Sequence, residues 1–253
     1  MILRLVELKV KSEQLLQLQE FYQRDVVPAL NATDGCLNAT LVQSSSDDGA
    51  GTSKCISMTL WQDEKFAEHY EKSELYKWLI QRINRYLAES SDWKINLSAD
   101  LTVNYDEVPE APVTKKYAVA SPGDSASALH GAFYMRIVSP QVRPGQEGRL
   151  KHIYNNEILP VLRTVKGCRY ASLVENIHNE GQFLSLTIWN KKDDADKYES
   201  SGLFARLRDK VRDTFTEAYQ WKIDLEKERS GKVMTSEEMR VDGYRMVAGE
   251  SFL

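Results

Sequence analysis

A chain of 253 residues with 42% hydrophobic side chains has apolar material for two cores of ordinary size, and its 37 acidic and 33 basic residues leave a formal net charge of only -4. Those charges are mixed along the chain with no basic stripe, which excludes nucleic acid as the natural partner, and no window approaches the roughly 20 apolar residues that span a bilayer. Three cysteines make no disulfide framework, so a soluble, cytoplasmic protein is expected.

Residues 2–10 (ILRLVELKV) are apolar and short, which predicts an opening strand. Ser12 then caps a predicted helix that buries Leu15, Leu18, Phe21, Tyr22 and Val26, with Pro28 near its end and Asp34-Gly35 turning out of it. Residues 36–43 and 55–61 predict an antiparallel hairpin across the polar loop SSSDDGAGTS. Residues 63–87 predict a helix broken near Ser73, with Phe66, Tyr70, Leu75, Leu79, Ile83 and Tyr86 on its apolar side. Residues 93–105 alternate apolar and polar without a miss, which predicts one long strand with a buried and a wet face. Residues 107–130, with three prolines and weak patterning, predict a linker. The second half repeats the order: a strand at 133–138, a helix burying Leu150, Ile153, Tyr154, Ile158 and Val161, and a hairpin turning at Asn179-Glu180-Gly181. A long helix over about residues 193–219 and a strand at 221–225 complete it, and residues 227–253 form a charged tail with no legible element.

The two halves are copies of one unit. Ser57-Met58-Thr59-Leu60-Trp61 returns as Ser185-Leu186-Thr187-Ile188-Trp189, and Tyr70-Glu71 returns as Tyr198-Glu199, both at a spacing of 128. Upstream, Gly35-Cys36 returns as Gly167-Cys168 at a spacing of 132, and the difference of four falls in the first hairpin loop. The order strand, helix, strand, strand, helix, strand is the split βαβ unit. The expected organisation is a first ferredoxin-like repeat at 1–106, a linker at 107–130, a second repeat at 131–226 and a tail at 227–253. A sheet with both helices on one face must cover the other. The expected fold is therefore α+β, with two ferredoxin-like βαββαβ repeats forming an intramolecular pseudo-dimeric α+β barrel, and unfilled barrel volume would be the ligand site.

The T-[LI]-W ending of the third strand, the acidic helix start after it, the aromatic about nine residues on and the Ser-x-[LF]-[YF] stretch resemble the antibiotic biosynthesis monooxygenase family of the dimeric α+β barrel superfamily. The resemblance covers both repeats and implies a small-molecule-binding protein, a cofactor-independent monooxygenase of an aromatic or quinol substrate, with homo-oligomers open. By that resemblance Trp61 and Trp189 would stack on an aromatic ring. Arg4 and Arg136, at matching places in the first strands, would favour a substrate anion, with a solvated edge residue as the other reading. Tyr70 and Tyr198 would point a hydroxyl at the substrate or pack. Ser57, Thr59, Ser185 and Thr187 share a strand face that is either inward or outward.

Two alternatives stand beside it: a haem-binding or haem-degrading protein, and a non-catalytic binding or assembly module. The haem-degrading relatives carry an asparagine, a tryptophan and a histidine where this chain has Leu5 or Val6, Tyr70 or Tyr198, and Ile80 or Arg208. None of the four histidines recurs in the other copy, and His69 is the one candidate axial ligand, with His152 behind it. No C-x-x-C, Gly-rich phosphate loop or dinucleotide fingerprint occurs, so neither zinc nor a nucleotide or flavin cofactor is expected. Cys36, Cys55 and Cys168 are expected to be packing residues.

Overall fold

The computed structural model describes residues 1–45, 51–97, 103–109, 113–121, 129, 131–216 and 239–251. They form two compact units, one built mainly from Arg4–Lys115 and the other mainly from Lys116–Met246. Among the described residues no helix is long and apolar enough to cross a membrane.

In the first unit, β1 (Ile2–Lys11), β2 (Cys36–Ser44) and β3 (Thr52–Trp61) form an antiparallel sheet in the order β1-β3-β2. Between β1 and β2 the chain runs through α1 (Leu15–Phe21), a π-helical turn (Tyr22–Val26) and α2 (Val27–Asn31). Leu18, Phe21, Tyr22 and Val26 of this helical run are buried as the spacing predicts, Leu30 joins them, and Leu15 is only half-buried. After β3 come α3 (Glu64–Lys72) and α4 (Glu74–Ile83). Asp63 caps α3 by accepting from the backbone N–H of Lys65 and Phe66. The predicted break is real: Ser73 is extended, ends α3 and caps α4 by accepting from the N–H of Tyr76.

The second unit repeats this with β7 (Tyr134–Pro140), α5 (Glu147–Ile153), a π-helical turn (Tyr154–Ile158), α6 (Leu159–Thr164), β8 (Cys168–Asn176) and β9 (Phe183–Trp189). Asn176 accepts from the backbone N–H of His178 and Asn179 and so folds the predicted hairpin turn, which Gly181 completes at a φ of 75°. The long helix read over 193–219 is instead two, α7 (Lys192–Ser200) and α8 (Leu203–Val211), followed by a single 3₁₀ turn. Gly202, at a φ of 73°, separates them, and Phe215 makes an extended bridge to Val142. In both repeats the helices lie on one face of the sheet, because Ser57 and Trp61 of one face of β3 touch Tyr22 and Tyr70, as Ser185 and Trp189 touch Tyr154 and Tyr198. Each repeat is an α+β, ferredoxin-like unit.

The fourth strand of the first repeat is not the single run that the alternation predicts. Residues 93–105 are not one strand: β4 (Glu89–Leu97) and β5 (Val103–Pro109) pair antiparallel, with Ile95 opposite Tyr105 and Leu97 opposite Val103. Paired residues on these arms share the same parity, so a reversal of the chain leaves the alternation of apolar residues unbroken. The stretch read as linker contains β6 (Val113–Ser121), which pairs with β8 through Tyr117 and Asn176. The stretch read as tail contains β10 (Met239–Ser251), which pairs with β7 through Val241 and Val138. The sheet of the second unit therefore runs β10-β7-β9-β8-β6. Residues 221–225 lie outside the described residues.

The start of the second strand of each repeat carries a bulge, between Cys36 and Asn38 and between Cys168 and Tyr170. There each thiol donates to the carbonyl oxygen two residues on, Cys36 at 3.5 Å and Cys168 at 3.6 Å. Burial pushes the Cys36 thiol up from 9.0 to about 12 and the Cys168 thiol up to about 11. These groups stabilise the fold as neutral thiols below the unfolded value, and that contribution is lost as pH rises through the folded one. Unfolding free energy from urea titrations should therefore decline between about pH 9 and 12, less steeply in a Cys36→Ala, Cys168→Ala protein; equal slopes would refute the assignment.

Gly35 closes the first helical run at a φ of 75°, and a Cβ there would run into the Phe66 ring. Gly145 has a φ of 83° with nothing within 4 Å of the same position. Gly145→Ala should cost about 1–2 kcal/mol of backbone strain, and Gly35→Ala about 3 kcal/mol or more because packing strain adds to it. Equal losses in chemical denaturation would contradict this.

Candidate functional site

Arg4 lies mid-strand on β1 between buried leucines and is itself only 2% exposed. Its Nε donates to Glu71 Oε1 at 2.8 Å, and its guanidinium carbon sits 5.7 Å from the Tyr70 ring centre and 5.1 Å from that of Tyr76. Tyr70 stacks on Trp61 at 5.0 Å, and Trp61 Nε1 donates to Thr59 Oγ1 at 2.8 Å two residues back on the same strand face. The second repeat builds the same cluster. Arg136 Nη2 donates to Glu199 Oε2 at 3.2 Å and lies over Phe204 at 4.0 Å and Tyr198 at 5.9 Å. Tyr198 packs on Trp189 at 5.1 Å, and Trp189 Nε1 donates to Thr187 Oγ1 at 2.8 Å.

Thus Arg4, Trp61 and Tyr70 come together in one unit, and Arg136, Trp189 and Tyr198 in the other. The arginines are buried cations over aromatic faces rather than solvated edge residues. Ser57, Thr59, Ser185 and Thr187 face the helices. His69 is exposed on α3 outside the first cluster, and His152 is exposed on α5.

Burial keeps the two tyrosines of the cluster in one protonation state. Burial drives the phenols of Tyr70 and Tyr198 far above their ordinary value, partly offset by the neighbouring Arg4 and Arg136. Burial also lowers Arg136, with Glu199 opposing that. At neutral pH the tyrosines are donors and not bases.

A cavity lies between sheet and helices of the second unit and leaves about 60 Å³ open to the centres of water-sized molecules, several times the roughly 10–15 Å³ that one water needs. Leu150, Ile158 and Leu162 wall it from the first helical run, and Leu207 and Val211 from α8. Its polar lining is Arg136, Arg208, Tyr154, Tyr198, Ser185 and Thr187. Trp189 is fully buried behind Tyr198 and does not line it. The cavity thus belongs to the layer between one sheet and its own helices.

Sequence reasoning passed over three groups. The Tyr22 hydroxyl meets Ser57 Oγ at 3.0 Å, and the Tyr154 hydroxyl meets Ser185 Oγ at 2.8 Å. Their signal was the coincidence of both residues under the two repeat spacings. Glu71 and Glu199 stood beside the tyrosines in the repeated Tyr-Glu pair. Arg208, 7% exposed on α8, had no signal, because Ile80 holds its place in the first repeat.

Residues 133–210 match the family described as antibiotic biosynthesis monooxygenase. A comparison with curated protein sequences returned no match. Among solved structures, a provisionally assigned monooxygenase from Fusobacterium nucleatum aligns at 12% identity over 99% of this chain and 94% of its own, with a TM-score of 0.63. One of the same description from Lactobacillus acidophilus aligns at 11% identity over 99% and 96%, with a TM-score of 0.56. An anthrone oxidase-like protein aligns at 12% identity over 99% and 93%, with a TM-score of 0.53. At such identities the likeness is one of fold. Residues 133–210, which hold the Arg136, Trp189 and Tyr198 cluster and most of the cavity wall, are therefore an antibiotic biosynthesis monooxygenase domain.

Proposed function

We propose that the second repeat binds a small aromatic or quinol-type molecule and promotes its oxidation by O2 without a cofactor. The observation that carries this reading is the cavity itself: an apolar chamber in the family-matched repeat, into which two buried guanidiniums, Arg136 and Arg208, are set. A fixed cation in a dry site stabilises an anion far more than water does, because no dipoles need to reorganise as charge develops. The carboxylates near them, Glu199 and Asp209, are 38% and 37% exposed and stand toward solvent. Both guanidiniums are thereby held in place, and an enolate or phenolate inside would meet the cations first.

For a methylene flanked by aromatic rings, as in an anthrone, the chemistry balances simply. The substrate loses a proton to solvent, its anion gives electrons to O2, and a C–O bond forms. The O–O bond then breaks, so that one oxygen ends as the carbonyl and the other leaves as water. Leu150, Ile158, Leu207 and Val211 wall the cavity, and the ring would lie against Tyr198. The anthrone oxidase-like neighbour makes anthrones the first substrates to try.

The test is oxygen consumption with anthrones and hydroquinones, read beside Arg208→Ile, which installs the residue of the first repeat at the matching place. Uptake above the protein-free rate is expected, with kcat/KM reduced at least about tenfold in the variant, the equivalent of one charge-assisted interaction lost in the transition state. Uptake no faster than without protein, or a fully active and folded Arg208→Ile, would overturn the reading.

A further inference from the structure

The cluster of Arg136, Trp189 and Tyr198, with Arg208 beside it, leaves two polar groups of the cavity unused, Tyr154 and Ser185. Tyr154 is fully buried at the start of a π-helical turn, and its hydroxyl touches Ser185 Oγ at 2.8 Å on β9 and the Ser172 carbonyl oxygen at 3.4 Å on β8. Both Tyr154 and Ser185 line the cavity. The first repeat has the same device, a π-helical turn starting at Tyr22 with its hydroxyl 3.0 Å from Ser57 Oγ. A π turn is a poorer helix than the one it interrupts and is common where a side chain must be placed for a task. Here it occurs twice, each time at a tyrosine that meets a serine.

Counting protons shows what the pair offers. Burial keeps Tyr154 a neutral phenol, so the two hydroxyls hold two protons between them. One is shared across the 2.8 Å contact. Tyr154 is better placed to give its proton to Ser185 at that distance than to the Ser172 carbonyl at 3.4 Å. Ser185 then keeps its own proton with no other acceptor among the described residues, on a side chain that borders the cavity. A hydroxyl polarised by accepting from a phenol is a stronger donor than an isolated one.

We propose that the Tyr154–Ser185 pair is the oxygen-recognition subsite of this cavity, donating a hydrogen bond to a carbonyl or quinone oxygen of the ligand. This rests on the cavity being the ligand site, as in the function proposed above, but not on the ligand being oxidised. It restricts the substrate class to aromatic molecules carrying an acceptor oxygen, whose ring then lies among Leu150, Ile158 and Leu173.

The matched probes are 1-tetralone and tetralin, which share a skeleton and differ in the carbonyl. Equilibrium dialysis against the whole protein should show tighter binding of 1-tetralone. Tyr154→Phe and Ser185→Ala should each weaken 1-tetralone about three- to tenfold, the worth of one neutral hydrogen bond, and leave tetralin unchanged. The serine variant removes little volume and keeps the test open should the tyrosine variant fail to fold. Equal binding of both probes by the unaltered protein, or 1-tetralone affinity untouched by Ser185→Ala, overturns the subsite. If neither probe binds, the cavity is not the ligand site and both proposals fall. Should the carbonyl preference hold without any oxygen uptake, the subsite stands and the oxygenase reading falls.

Discussion

A guanidinium placed in the middle of a strand and roofed by aromatic rings is the constraint to which both repeats conform. A buried charge is costly unless it is paired, and here the pairing carboxylate comes from the end of the helix that follows the third strand. Arg4 reaches Glu71 and Arg136 reaches Glu199, so the first strand is tied to that helix across the layer. The tyrosine before each glutamate then lies under the arginine and against the tryptophan. Each tryptophan can be fully buried because its Nε1–H is satisfied by the threonine two residues earlier. The arginine is the buried member of each pair, so removing the glutamate would leave a buried cation without its carboxylate. The cluster holds the helices to the sheet.

This explains which parts were legible in the amino-acid sequence. Arg4 and Arg136, Tyr70 and Tyr198, and Trp61 and Trp189 stand out because a buried pairing has to be kept whole or lost whole, and a duplicated chain displays it twice. The break at Ser73 was legible for a local reason, since the orphan N–H that its hydroxyl satisfies lies within three residues, whereas Ser12, read as a cap, makes no capping bond and meets Ser53 Oγ instead. The fourth strand of the first repeat was not legible. Alternation records only which side a residue faces, so a strand and a reversed pair of strands look the same when partners share parity, as Leu97 and Val103 do. Pro109, Pro112 and Pro122 made the β6 stretch resemble a connector, although the strand itself contains none of them. The break at Gly202 was hidden because charged and apolar residues on either side keep helical spacing.

The two copies agree where the layer is tied, and of the cavity's polar lining they differ at one position, Ile80 against Arg208. Tyr76 and Phe204 both roof the arginine, so the exchange of a phenol for a phenyl keeps the cation over a ring face. Ile80 and Arg208 differ more deeply: one is an apolar residue of α4, the other a buried guanidinium beside the cavity. Ser73 and Gly202 break their helices by different means, the first with a side-chain cap and the second with a left-handed backbone. None of these exchanges touches the Arg, Glu, Tyr and Trp set.

Fusion supplies the physical reason for that division. In a pair of identical chains, any change that introduces a cation into one cavity introduces it into both, and its desolvation cost is met twice. Two copies in one chain separate these costs, so one repeat can carry a second buried arginine while the other keeps an isoleucine. The tie between strand and helix enjoys no such freedom, because each unit must hold its own sheet to its own helices. The cavity with two arginines and the Tyr154–Ser185 pair is accordingly found in a repeat whose supporting cluster is the same as its partner's. The chemistry was altered on a frame that was not.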